Sequence, residues 1–333
     1  MHASVKSWHR WAWPLAKLLL AAAILGGIGW QFYRDLTKED ANGVPLLRDL
    51  HWQPGWLALS ALLYLVFLGC SCWYWRRLLL HFGPAPTPLA TTRAYFVSQL
   101  GKYIPGKAWA LLMRGMMVRG PSLRLGLAII TTFYEVLTTM AAGAMLGAAA
   151  FLIQPPFRTD LYLPPVVTGI LMLGVCAVPL LPGVFNRIAA RLAHRLQADE
   201  AGPLPKIDFI TLLKGLAITA CGWCLLGISV WAGLAAVSPT PPPLDLSMWL
   251  RCLGAISLAY VGGFLMPILP GGIGVREFLL ARLFGGSAAE AVLFAVAVLL
   301  MRLAWTAAEV ALAGLLYFAA PRRWLGSKFG SSG

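Results

Sequence analysis

The amino-acid sequence predicts an all-α polytopic membrane protein: about six full transmembrane helices plus two re-entrant or broken helical segments, arranged as an inverted-topology repeat. Three observations predict it. Of 333 residues, 59% are hydrophobic and 12% are charged, against roughly 45 to 50% and 25% in a soluble domain. Apolar stretches approaching the roughly 20 residues that cross the hydrocarbon core recur along the chain. Two further apolar stretches are interrupted by Pro-Gly steps. Helices follow because backbone groups in lipid must bond within their own segment, and the alternating pattern of barrel strands is absent. The apolar segments leave no room for a separate soluble catalytic domain.

The first span, Leu15 to Trp30, follows Lys6, Arg10 and Lys17 and is expected to be a retained anchor, because no small-residue cleavage site follows it. Further spans are expected at Pro54 to Trp75, Gly126 to Ile153, Leu163 to Leu181, Phe209 to Val237 and Glu290 to Ala319. The broken segments are Leu89 to Arg119, interrupted at Pro105-Gly106, and Trp249 to Phe284, interrupted by Pro267, Pro270 and Gly271-Gly272. Thr91, Thr92, Arg93, Ser98, Gln99 and Lys102 make the first too polar to face lipid across a full span. In the second, Trp249 to Leu269 is apolar enough to cross completely, with Val275 to Phe284 returning.

Orientation follows from the basic residues. The net charge is +14, and residues 76–125 hold eight basic residues (Arg76, Arg77, Arg93, Lys102, Lys107, Arg114, Arg119, Arg124) and no acid. The positive-inside rule therefore puts this stretch, the 182–208 loop and both termini in the cytoplasm. The loops at 31–53, 154–162 and 238–248 hold four basic residues together and belong outside. The expected location is a bacterial inner membrane. Ile104-Pro105-Gly106 and Leu269-Pro270-Gly271 lie 165 positions apart, about half the chain. That offset places residues 1–160 on 161–320 as two repeats of opposite orientation, with a cytoplasmic tail at 321–333.

Soluble chemistries find little support. The six cysteines sit in or beside apolar segments, so Cys221-Gly-Trp-Cys224 reads as helix packing and no disulfide framework is expected. The five histidines form no HExxH motif, and no GxxxxGK followed by Ser or Thr occurs. No metal, cofactor or nucleic acid is expected.

The chemistry concentrates at the breaks. Lys102, Tyr103, Pro105, Gly106 and Lys107 place a Pro-Gly step between two helical pieces. The second piece would aim unpaired N–H groups at a phosphate or carboxylate. Pro270, Gly271, Gly272, Gly274, Arg276 and Glu277 put a glycine run, permissive of close approach or positive φ, directly before two charges. Glu135, Arg302 and Glu309 are charges inside spans and need partners. Arg302 and Glu309 are seven positions apart, about 10.5 Å along one helix face, so each needs another partner. The inverted repeat favours Glu135 paired with Arg302.

GKYIPGKAW at Gly101 to Trp109 and PGGIGVRE at Pro270 to Glu277 resemble the membrane domain of the lysylphosphatidylglycerol synthase and flippase-like family across essentially the whole chain. The two-domain synthases couple such a membrane part, associated with moving an aminoacylated phospholipid between leaflets, to a soluble synthetic domain. This sequence has no equivalent of that domain, so the resemblance implies translocation without synthesis. The expected function is therefore movement of an anionic phospholipid or lipid-linked intermediate between leaflets, without an ATPase and without catalytic residues. A membrane-embedded enzyme acting on a lipid head group and a non-transporting subunit of an envelope-lipid assembly pathway are the alternatives. The expected partners are that lipid and the membrane, with a homo-oligomer left open.

Overall fold

The computed structural model describes Trp30, 51–83, 86–103, 108–118, Leu123, 125–154, 165–181, 183–187, Arg191, 207–265, 274–284 and 288–319. The elements are α1 (Pro54–Phe82), α2 (Pro88–Gln99) continuing into a 3-10 turn (Leu100–Tyr103), and α3 (Ala108–Val118). They continue with α4 (Leu125–Ile153), α5 (Pro165–Ala177) with a 3-10 turn (Val178–Leu180), and α6 (Phe209–Ala235). The last are α7 (Leu246–Leu265), α8 (Val275–Phe284) and α9 (Ala288–Phe318). No strand occurs among the described residues. Five helices there are long and apolar enough to cross a membrane: α1, α4, α6, Leu246–Phe264 of α7 and Leu293–Phe318 of α9. The protein is an all-α polytopic membrane protein.

One expectation about spans changes. Leu163 to Leu181 is not one continuous crossing helix, because α5 is a 13-residue helix that tightens into a 3-10 turn. Pro179 is the cause: it lacks an N–H, clashes with the carbonyl four residues back and disfavours helical geometry at Val178. The stretch around Trp249 is an unbroken 20-residue helix, in line with its being apolar enough to cross completely. The expected span at Leu15 to Trp30 lies outside the described residues apart from Trp30.

Lipid tails are as apolar as leucine, so these helices associate through close packing and interhelical hydrogen bonds rather than a hydrophobic drive. The core pairs α1 with α6, α4 with α7 and α6 with α7, and α9 closes against α1. Small residues set the approach. A Cβ at Gly143 of α4 would overlap the Trp223 ring of α6, and one at Gly215 of α6 would overlap Tyr74 of α1. Trp223 is fully buried and donates Nε1–H to the Thr139 carbonyl at 2.7 Å. A polar knot joins three helices: Ser60 of α1 and Ser229 of α6 each donate to the other's carbonyl at 2.7 Å, and Trp305 of α9 donates Nε1–H to the Ser60 hydroxyl at 3.0 Å.

The first break is a hairpin. Thr87 caps α2 by accepting the Ala90 N–H at 3.3 Å, with Pro88 in the first turn, where a missing N–H costs nothing. The arm after the break folds back on the arm before it. A Cβ at Gly101 would lie 2.9 Å from the Ala110 backbone, so only glycine permits this approach. The second break separates α7 from α8, and α8 packs on both α7 and α9.

Overpacking costs about 1 to 3 kcal/mol where side chains can adjust, and Trp223 has little freedom to move. Gly143→Val should therefore lower the melting temperature in detergent sharply. Gly69→Ala, whose added Cβ meets nothing within 4 Å, should leave it unchanged or slightly raised. Equal melting temperatures for the two variants would contradict this packing account.

Candidate functional site

Helix α9 carries Arg302, Trp305 and Glu309 at spacings of three and four, which line one helix face. Each of its two charges takes a partner from a different break. The Lys102 ammonium, from the turn that ends the first arm, pairs with Glu309. Arg302 Nε donates to Glu277 Oε1 at 2.7 Å, and Glu277 sits in the first turn of α8. One helix therefore ties together the two motifs that the sequence singles out 165 positions apart.

Glu309 is 1% exposed and its carboxylate is well supplied with donors. Tyr64 of α1 donates its hydroxyl to Oε1, which Lys102 also contacts, and Tyr103 donates to Oε2 at 2.8 Å. Lys102 Nζ donates a further bond to the Tyr64 hydroxyl at 3.2 Å. Trp305 stacks on Tyr64 with ring centroids 4.5 Å apart and planes 5° from parallel. The ammonium also lies 5.1 Å from the Tyr103 ring centroid and 5.9 Å from that of Tyr64. Carboxylate and aromatic faces together compensate a cation that is 17% exposed.

At the second break Gly274 has φ +89°, a conformation open to glycine and strained for other residues. Its N–H donates to Glu277 Oε2 at 2.6 Å, the backward half of a capping box. Glu277 thus closes the helix start with one oxygen and anchors it to α9 with the other. The neighbouring Arg276 is 6% exposed, and its guanidinium lies 3.6 Å from the Tyr260 ring centroid. Gly263 of α7 leaves space for this side chain, since a Cβ there would come within 2.7 Å of Arg276 Cγ. Arg276 Nε has no hydrogen-bond partner, and no carboxylate pairs with Arg276 among the described residues.

The expected pairing of Glu135 with Arg302 is not found. Glu135 of α4 pairs with Arg114 of α3 at 2.8 Å. Arg114 also donates Nε–H to Ser98 at 3.0 Å and stacks 4.0 Å from the Tyr95 ring centroid, while Glu135 accepts from Tyr95 at 3.4 Å and Thr139 at 3.3 Å. Folding the short post-break helix onto the following span supplies a nearer partner than the opposite repeat does. Arg302 finds its partner the same way, in α8.

Four cations (Lys102, Arg114, Arg276, Arg302) and three carboxylates (Glu135, Glu277, Glu309) thus make up the charged groups of these clusters among the described residues. Three pairs close, and Arg276 remains. Stacking a desolvated cation on an aromatic ring yields about 2 kcal/mol, whereas burying an unpaired charge costs several. The difference favours an anion beside Arg276.

Of the residues expected at the site, Lys102, Tyr103, Gly274, Arg276, Glu277, Arg302 and Glu309 gather around α9, and Glu135 lies in the separate Arg114 cluster. Pro105, Gly106, Lys107, Pro270, Gly271 and Gly272 lie outside the described residues. Sequence reasoning missed Tyr64, Tyr260, Gly263 and Trp305. The signal for them is weak, being aromatic or small residues inside spans, where packing alone would place them too.

The family model for the lysylphosphatidylglycerol synthase transmembrane region matches residues 15–314. A comparison with curated proteins finds no match. The model covers most of the chain and includes both breaks and the three ion pairs described above. The chain belongs to the lysylphosphatidylglycerol synthase transmembrane-region family, as a multi-pass membrane protein of a lipid-related family.

Proposed function

We propose that the protein moves an anionic phospholipid or lipid-linked intermediate between the leaflets of the inner membrane, without an ATPase of its own. The observation that carries this reading is Arg276: a buried cation with an unpartnered Nε, set in the first turn of a short helix after a break. A phosphate there would complete the charge balance while the acyl chains stay in the bilayer. Lys102 and Glu309 would form the opposite wall, and Tyr64, Tyr103 and Tyr260 its polar and aromatic lining.

The proposal includes an inverted repeat. Arg114 lies 9 positions after Pro105 and Glu135 lies 30 after it, while Glu277 and Arg302 lie 7 and 32 after Pro270. Each half thus joins a short post-break helix to the following long span by one buried ion pair, with the signs exchanged. Such halves are a recurring architecture of secondary transporters, in which the site lies between the repeats. The basic-residue distribution supports cytoplasmic termini.

The two arginines should behave differently when reconstituted protein is assayed for exchange of labelled lipids between leaflets. Arg276→Gln should stay monodisperse and lose tenfold or more in exchange rate, since loss of a buried charged contact costs about 2 to 5 kcal/mol. Arg114→Gln leaves Glu135 buried and unpaired, a cost of about 3 to 5 kcal/mol, and should reduce the yield of folded protein. Wild-type exchange rates in a folded Arg276→Gln variant would contradict the proposed site.

Orientation has its own check. In a cysteine-free background, a cysteine at Pro243 should react with an impermeant thiol reagent added to intact spheroplasts, and one at Ala198 should react only after lysis. The reverse pattern would invert the topology.

A further inference from the structure

We infer that Glu309 is a proton site that works a latch: while ionised it holds the turn Leu100–Tyr103 against α9, and on taking up a proton it releases that turn. The inference goes beyond the translocation reading and does not depend on which molecule is moved.

The three ion pairs described above differ in what they join. Arg114 and Glu135 are 21 positions apart and Glu277 and Arg302 are 25 apart, so each pair staples a short helix to the long span that follows it. Lys102 and Glu309 are 207 positions apart and join the end of the first arm to the last span. The residue types differ in the same sense. The two local pairs use arginine, whose planar fork fixes the geometry of its partner, whereas the distant pair uses lysine, a point charge on a flexible stem. Lys102 is also the most exposed of the six side chains at 17%, against 1% for Glu309, so this pair is least enclosed on the side of the turn.

What Glu309 loses when the turn leaves decides its charge. Its carboxylate accepts from Tyr64 of α1 and from Lys102 and Tyr103 of the turn. The contact of Tyr103 with the Thr306 hydroxyl at 3.2 Å leaves with the turn as well. One phenol then remains. Among the described residues no charge stands ready to replace Lys102. Arg302 is two helical turns away and bonded to Glu277. From α7, Tyr260 lies within electrostatic reach of Glu309 and Lys102 but brings a hydroxyl, and the Arg276 of α8 is stacked on its ring. From α2, Arg93 meets α9 at Tyr317, eight positions beyond Glu309, and α6 meets it through Gly233 against Met301. A buried carboxylate stripped of its cation is strongly unfavourable, whereas the protonated acid is neutral and donates a hydrogen bond of its own. Each release therefore forms one O–H bond at Glu309, with Lys102 still an ammonium, and each closing returns that proton. The released state binds one proton more than the held state, so acid favours release and alkali favours closing.

The arms around the turn suit this motion. A Cβ at Gly101 would lie 2.9 Å from the Ala110 backbone, so the turn and the start of α3 travel together. Farther along α3, Arg114 holds Ser98 of α2 and Glu135 of α4 and supplies a fixed base.

The test follows the turn rather than any cargo and uses the full chain in nanodiscs. At neutral pH the backbone amides of Leu100 to Tyr103 should exchange with deuterium roughly tenfold faster in Glu309→Gln, a neutral stand-in for the protonated acid, than in wild type. Amides around Arg114 and Glu135 should keep wild-type rates. Lys102→Gln, which leaves Glu309 intact, should loosen the same turn. Spin labels on cysteines at the exposed positions 109 and 303, in a cysteine-free background, then report the pH response. From pH 8 to pH 5 the wild-type distance should pass from one population to a second about 5 Å away, one helical turn, and Glu309→Gln should show the second population at both pH values. Wild-type protection of the turn in both variants, a wild-type distance indifferent to pH, or a pH response that persists in Glu309→Gln would each overturn the inference. None of these outcomes bears on whether a lipid crosses the membrane, so the translocation reading stands or falls separately.

Discussion

A charge inside hydrocarbon requires a partner, and α9 brings two, seven residues apart on one face. Neither reaches the other, so each draws in a segment that no continuous apolar helix supplies. Glu309 takes Lys102 from the turn before the first Pro-Gly step, and Arg302 takes Glu277 from the start of α8 after the second. The positions of both broken segments against α9 follow from these two contacts. Trp305 between them stacks on Tyr64 and bonds Ser60, locking the same face to α1 and through it to α6. A helix that would otherwise be one more apolar span becomes the wall on which charged residues of both motifs assemble.

The charge clusters of the two halves differ in a way that bears on function. Around Arg114 and Glu135, Ser98, Tyr95 and Thr139 saturate the pair, so the cluster is closed and its role is to hold α3 against α4. Around Glu277 and Arg302 the pair is also closed, yet the adjacent Arg276 has only a ring face for company. One half carries a completed lock and the other carries a lock beside an open cation. Under the proposed inverted repeat, this asymmetry would put the ligand on the second half and leave the first to brace it.

Much of this was legible in the sequence. Composition and apolar run length identify the membrane class, because crossing hydrocarbon demands long apolar stretches whatever the partners are. The Pro-Gly steps mark the breaks for an equally local reason, the loss of helical hydrogen bonding. The rule that Arg302 and Glu309 lie too far apart to pair needed only helical rise, and both proved to have other partners. Identifying those partners needed tertiary structure: Glu135 met Arg114, 21 residues away, rather than Arg302, because a hairpin folds α3 back onto the start of the next span. The interruption of the fourth expected span came from Pro179, a local signal outweighed by a long apolar run. Tyr260 and Gly263 resemble any other residues in an apolar helix, and only the guanidinium lying between them sets them apart.

The central claim is that Arg276 faces a lipid phosphate at a break tied to α9. A density map of the protein in nanodiscs rich in an anionic phosphodiester lipid tests it most directly. The account predicts lipid phosphate density within hydrogen-bond distance of the Arg276 guanidinium, with the Glu277 to Arg302 and Lys102 to Glu309 pairs in place. A map in which a protein carboxylate neutralises Arg276, with packed side chains filling the space beside it, would contradict the account.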